Sequence, residues 1–544
     1  MKKLCFFTLK LKENILLFSF CVFTFSVSFA QLKQGEFAIG GGNLELAFSI
    51  VQSADGGYAM TGYTQSYADP ANGAMYIVKL DADGNLKWTR TIDGRKGTAG
   101  FSLAALKDGG YAVAGSTSSF ADTLSDDVYI VKLDSLGDFK WSRTIGGASE
   151  DRAEAIIQSK DGDLVVAGYT DSYGVGSENM YVIKLDTAGN LKWTRTIGGK
   201  KYDEAYSIAQ STDGGYVLAG STTSYGDTNA GGVYVVKLDS AGNFKWGRSI
   251  GGSNNADVGQ GIAATHDNGC VVTGYTNSYG AGIANVYIIK LDSAGKVEWT
   301  KVVGGRHQDY GNSVIEAKDR GIVIAGVTTS FVDTINEDAY LIKLDSAGNL
   351  LWTNVYGGKQ YDYATSLVQT TDKGYAFTGG TNSFGSGNWD MYFVKTDSQG
   401  NSCNSFVAGG LVAKGGVVNT GGIESSGGSI TSMDSGRIGN GGNRIAACSV
   451  ITAANNISIT NNSISVYPNP SNGIFQLEIS NEQLGIKNTV EVYNVLGEQV
   501  YNEPVQRAQD DYKIDLSFQG TGVYFYRVLS DGKFVGSGKL VIKK

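Results

Sequence analysis

Six carboxylates recur at matched places in this chain: Glu45, Asp151, Asp203, Asp257, Asp309 and Asp362, each five residues before an aliphatic residue, with Thr98 breaking the set. Such a ring could hold a cation or attract a basic ligand. Short polar side chains at chain bends also cap backbone N–H groups. That structural role is the expected one, because positions repeated in every unit are usually scaffold. Two His in 544 residues are a poor basis for a zinc site or a Ser-His-Asp triad. No metal site and no cofactor are expected. Asp81-Ala82-Asp83-Gly84-Asn85 has the look of a calcium loop, but its sister segments drop the second acid and no Glu stands at the twelfth place, so it reads as a β-turn.

Residues that break the repeat are better candidates for a ligand: Trp389, Asp390, His307, Arg306 and Arg152, with Lys200 and Lys201 beside them. An exposed Trp389 would stack on a sugar ring or anchor a protein partner, against the alternative that it packs on a neighbouring loop. His307 lies close to Asp309 but has no nucleophile in view, so a solvated loop position is expected for it.

A repeat of about 53 residues must position these groups. Trp88, Trp141, Trp193, Trp246, Trp299 and Trp352 are 52 or 53 residues apart, and Asp55, Asp108, Asp161, Asp213, Asp267, Asp319 and Asp372 run in step. In the fourth unit SIAQS and GYVLAG flank Asp-Gly-Gly, and VYVVKLD and FKWGRSI flank Ser-Ala-Gly-Asn, two tight hairpins of half-buried strands. Four antiparallel strands, seven times over, predict an all-β fold: a seven-bladed β-propeller over residues 31–410. A solenoid is the alternative. The Trp of each blade is expected to fill the wide outer gap to its neighbour, each ring burying about 150–250 Å².

The recurring KLD-S-A-G-N-x-K-W stretch resembles the tryptophan-docking motif of quinoprotein propellers, without their cofactor constellation. The whole unit is similar to secreted bacterial propeller repeats carrying DGGY, GYTxS, YxVKLD and W…GG. Blade seven has Asn404 where its sisters have Trp. Glu36-Phe37-Ala38-Ile39-Gly40-Gly41 mimics the end of a fourth strand, so the N-terminal segment is expected to close the ring. Ser405 to Gly410 is the rival. Tight turns crowd one face of the disc, and the long loops on the other face are where a ligand site belongs.

The ends of the chain speak to location. Residues 1–30 read as a secretory signal peptide, with Lys2, Lys3, Lys10 and Lys12 ahead of an apolar run too short to span a bilayer, and no later run is long enough to add a membrane span. Its removal would carry the net charge from −8 to −11, and without a basic run nucleic acid is excluded as a partner. Three Cys remain: Cys403 and Cys448 are the expected disulfide, and Cys270 a buried thiol. Residues 411–462, rich in Gly and Ser, read as a flexible linker.

Residues 463–544 carry Val466-Tyr467-Pro468-Asn469-Pro470, then Val490-Glu491-Val492-Tyr493-Asn494-Val495-Leu496-Gly497, then Gly522-Val523-Tyr524-Phe525-Tyr526-Arg527-Val528. These short alternating strands predict a small immunoglobulin-like sandwich. The motifs resemble the type A C-terminal sorting domain of the type IX secretion system of Bacteroidetes. The resemblance implies that residues 464–544 engage the secretion machinery after Sec export, delivering the protein to the medium or the outer-membrane surface. The expected role is non-catalytic binding of an extracellular glycan or protein. The alternatives are a structural or adhesion component, or a lyase or hydrolase built on loop carboxylates.

Overall fold

The computed structural model describes residues 34–403 apart from short stretches in the long loops, paired segments between 406 and 450, and most of 464–544. The expected signal peptide lies outside the described residues. Contacts divide the chain into two units, residues 1–453 and 454–544.

Each repeat folds as four antiparallel strands. In blade one these are Glu45–Gln52, Tyr58–Thr64, Ala74–Leu80 and Leu86–Asp93. Blades two to six repeat the plan, with inner strands opening at Thr98, Asp151, Asp203, Asp257 and Asp309. The recurring turn aspartates hold the first hairpin. Asp55 Oδ1 accepts the Gly57 N–H and the Lys79 ammonium, both at 2.9 Å. All seven blades have this Lys–Asp pair, at 2.5 to 2.9 Å.

The third strands were expected to be half-buried. They are buried almost throughout, as in Gly232–Leu238, because a neighbouring blade covers each face. Alternation fades where both faces are apolar. Each Trp serves the next blade. Trp193 lies under the Asp239–Asn243 turn, where a Cβ on Gly242 would come within 3.0 Å of the indole. Arg195 stacks on that indole with its guanidinium 5.3 Å from the ring centre and donates to Gly242 O at 3.1 Å. Trp88, Trp246, Trp299 and Trp352 face Gly137, Gly295, Gly348 and Gly400 in the same way. Trp141 instead donates from Nε1 to Thr187 O at 3.3 Å.

Blade seven comprises Asp362–Gln369, Tyr375–Thr381 and Asp390–Thr396, and Gln34–Gly40 from the chain's start completes it. Phe37 pairs with Phe393 and Ile39 with Met391, all four buried. The inner strand of blade one packs against blade seven, so the ring closes. The rival segment goes elsewhere: Phe406–Val407 pairs with the outer strand of blade six.

The stretch read as a flexible linker needs the largest correction. From residue 406 the chain runs backwards around the ring and adds a fifth strand to each blade in turn. Leu411–Ala413 pairs with blade five, Val417–Thr420 with four, Ile423–Ser425 with three, Ser429–Ser432 with two, Arg437–Gly439 with one, and Asn443–Val450 with the N-terminal strand. Cys403, just ahead of this belt, is disulfide-bonded. Cys448, its expected partner, stands opposite Glu36 in the last belt strand. Cys270 is free and buried, and burial pushes its thiol up to about 12.

The second unit is a three-stranded and a four-stranded antiparallel sheet. Phe475, Leu477 and Ile514 of the first pack with Val490, Val492, Val528 and Leu540 of the second in one core. The chain is therefore all-β: a seven-bladed propeller followed by a small β-sandwich.

Candidate functional site

Every inner strand carries a bulge, and the bulge decides what the central channel presents. In blade one Ala47 pairs with Gly62 and Ser49 with Thr61, leaving Phe48 unpaired and turned out of the ladder. The partner must be Gly, because a Cβ on Gly62 would lie 1.8 Å from Leu46 O. Its counterparts Gly115, Gly168, Gly220, Gly274, Gly326 and Gly379 meet the same carbonyl. The bulged residues of the seven blades are Phe48, Phe101, Glu154, Tyr206, Gln260, Asn312 and Thr365. They line a channel cavity of about 140 Å³. This column holds six residue types in seven blades.

The column two residues before it varies as widely: Leu46, Ala99, Arg152, Glu204, Val258, Tyr310 and Tyr363. Side chains from the two columns meet. Arg152 lies 4.0 Å over the Phe101 ring and 2.7 Å from the Glu154 carboxylate. Burial still pushes Glu154 up to about 7. Tyr206 donates its hydroxyl to Glu204. Glu204 also meets Glu178 carboxyl to carboxyl, and that contact together with burial holds Glu178 well above the usual carboxylate range. Phe48 and Phe101 stack obliquely, with ring centres 5.5 Å apart. Tyr275 and Tyr310 meet edge to face at 5.1 Å.

The six recurring carboxylates do not point into this channel as a charged ring. They are buried, and each is engaged within its own junction. Asp203 accepts the Gly199 N–H at 2.7 Å and the Ser224 hydroxyl at 2.6 Å, and also the Thr222 hydroxyl. Glu45, Asp151, Asp257, Asp309 and Asp362 accept the corresponding Gly N–H at 2.6 to 2.8 Å. Burial raises Asp151, Asp203 and Asp362 in pKa against these hydrogen bonds.

The loop candidates are spread over the long-loop face. Arg152 alone reaches the channel. Trp389 is half-buried against Tyr363 and Tyr361, with ring centres 5.4 and 6.3 Å away, so it belongs to an aromatic cluster at the blade-seven rim. Asp390 turns inward to accept the Ser386 and Gly387 N–H groups. Arg306 and His307 are exposed in the loop between blades five and six, where Ser330 Oγ accepts the His307 N–H at 3.0 Å.

The channel residues escaped sequence reading for a definable reason. Arg152 apart, they pass for ordinary strand positions, because the bulge that exposes them is a property of two strands together. Aligning the seven inner strands shows two widely variable positions in a frame of acid, small, small and aliphatic residues that only Thr98 breaks.

The family described as secretion system C-terminal sorting domain matches residues 465–543. Those residues are a type IX secretion sorting domain. The chain is accordingly secreted or held at the outer-membrane surface. No helix among the described residues is long and apolar enough to cross a membrane. Over 199 aligned residues the chain is 29% identical to the regulatory protein FlaEY of Caulobacter vibrioides, covering 32% of this chain. The match spans about a fifth (21%) of that relative's length. Among solved structures, a protein of unknown function from Dyadobacter fermentans is 11% identical with a TM-score of 0.40, covering 67% of this chain and 98% of its own. Sqt1 from Chaetomium thermophilum is 14% identical with a TM-score of 0.36, covering 64% and 82%.

Proposed function

We propose that the propeller is a non-catalytic binding module for an extracellular glycan or protein, exported through its sorting domain, with the channel and its aromatic rim as the binding surface. The observation that carries this reading is the column of six residue types at the seven bulges. A repeat scaffold keeps its packing positions uniform, and variation concentrated on a concave surface suits recognition of an asymmetric ligand. The mixture of aromatic faces, amides and one Arg–Glu pair supports binding over turnover, since the Arg152 guanidinium and the Glu154 carboxyl engage each other. The sorting domain is proposed to engage the secretion machinery after Sec export by the N-terminal signal peptide.

A glycan and surface-polymer binding screen on the secreted protein tests this. Binding to at least one polymer or surface protein is expected, weakened by Trp389→Ala at the rim and by Tyr206→Ala in the channel. Retention of full binding by both variants, or no binding to any ligand, would refute the assignment.

A further inference from the structure

The channel wall is divided by chemistry as well as by blade. Phe48 and Phe101, on blades one and two, place paired rings on one side. Blades five and six stand across the ring and contribute Gln260 and Asn312. Asn312 donates Nδ2 to Ala364 O at 2.8 Å, and its carbonyl oxygen is left for another donor. Gln260 makes no hydrogen bond with any described residue, although its amide offers two donors and an acceptor. An amide left open in a cavity is matched by a ligand that both donates and accepts.

Size narrows the ligand. About 140 Å³ lies well below the roughly 300–1,000 Å³ of drug-sized pockets, and the cavity is open along the channel, which suits one small ring whose substituents extend along it. Charge narrows it further. Glu154 is the one carboxyl at the wall, no Lys or Arg lines it, and the nearby Arg152 is already paired with Glu154, so an anionic ring finds no free cation among the described residues.

We infer that the channel takes one uncharged pyranose ring of a glycan, its C–H face on Phe48 and Phe101 and its hydroxyls on Gln260 and Asn312. This rests on the binding-module reading above and names its ligand class. A saccharide satisfies both walls at once, because a pyranose presents an apolar face and a rim of hydroxyls that both donate and accept.

Saturation-transfer NMR on the full secreted chain, with D-glucose, D-galactose, D-mannose, N-acetylglucosamine and D-glucuronate as probes, tests the inference. At least one neutral sugar should receive saturation and glucuronate none. Gln260→Leu and Phe48→Ala should each weaken that sugar by about tenfold or more, the loss of one good contact, with the thermal midpoint unchanged. Silence from every neutral sugar, equal response to glucuronate, or undiminished binding by Gln260→Leu overturns it. If polymer binding persists while no monosaccharide binds or competes, the ligand class is wrong and the binding module stands. If polymer binding is absent too, both fail.

Discussion

Ser366 Oγ accepts the Ile50 N–H at 3.2 Å, joining the last inner strand to the first across 316 residues. The same latch links Ser49 to Leu103, Ser102 to Ile156, Ser207 to Ile262 and Ser313 to Leu367, at 3.0 to 3.2 Å. Ala155 and Gly261 replace the serine at the other two junctions, so the ring tolerates gaps in this series. The closing junction has less in reserve, because the outer strand of blade seven brings no Trp.

Ser366→Ala should therefore lower stability by about 0.5–1.5 kcal/mol, the net worth of one hydrogen bond. The midpoint of denaturant unfolding reads it. A midpoint equal to wild type would show that the first and last blades are held by packing alone.

Asp338 and Asp362 face each other over Gly357, where a Cβ would lie 2.5 and 2.7 Å from their oxygens. The Oδ1 of each has no hydrogen-bond partner among the described residues. Burial, with Asp362 adding to it, pushes Asp338 up to about 8. The folded protein thus keeps a proton that the unfolded chain releases near its ordinary value of 3.8. Stability is greatest below that value and falls as pH rises from about 4 to 8, by about 1 kcal/mol per pH unit from this group. Blades three and five carry Asn179 and Asn285 here, which donate to Ser177 O at 2.8 Å and Tyr279 O at 3.2 Å. Asp338→Asn should copy them and flatten that slope. Thermal midpoints at pH 5 and pH 8 decide it, and parallel pH profiles for variant and wild type would refute it.

How much of this was legible in the sequence depends on whether a feature repeats. The Trp spacing, the Asp-Gly turns and the EFAIGG mimic each have a counterpart elsewhere in the chain, so comparison exposed the blades and the closing strand. The belt has no counterpart. Its strands are two to eight residues long and pair with edges formed up to several hundred residues earlier, so no local pattern of alternation marks them. The channel was hidden differently. Phe48 and Gln260 look like ordinary alternating strand positions until the bulge removes them from the ladder, and a bulge set by Gly62 or Gly274 is a property of two strands together. Trp389 has no aromatic counterpart in its sister blades, but its aromatic neighbours Tyr361 and Tyr363 come from a different loop and strand.

Fastening of the belt should show as protection. Cys403 ties down the chain where the belt begins, and a native disulfide is commonly worth about 2–4 kcal/mol. Reduction, or Cys403→Ser, should open residues 406–450 to limited proteolysis while the four-stranded blades stay resistant. Mass mapping of the first cleavages reads the outcome. First cuts in blade loops, with the belt intact in the reduced protein, would show that strand pairing alone holds it.

The sorting domain has a core of its own, so export and propeller folding should separate. Val528 is fully buried between the two small sheets beside Val490 and Leu540, and a charge placed there would be unpaired. Val528→Asp should unfold that sandwich, and deletion of residues 464–544 should remove it. Either change leaves the ring, its closing strand and its belt complete, because all of these lie within residues 1–453. The expected result in the native host is a protease-resistant propeller retained in the periplasm, with little reaching the surface or medium. Fractionation with an antibody to the propeller, read beside a protease challenge, separates failed sorting from failed folding. Undiminished surface delivery of the deletion variant would mean that the export signal lies elsewhere in the chain.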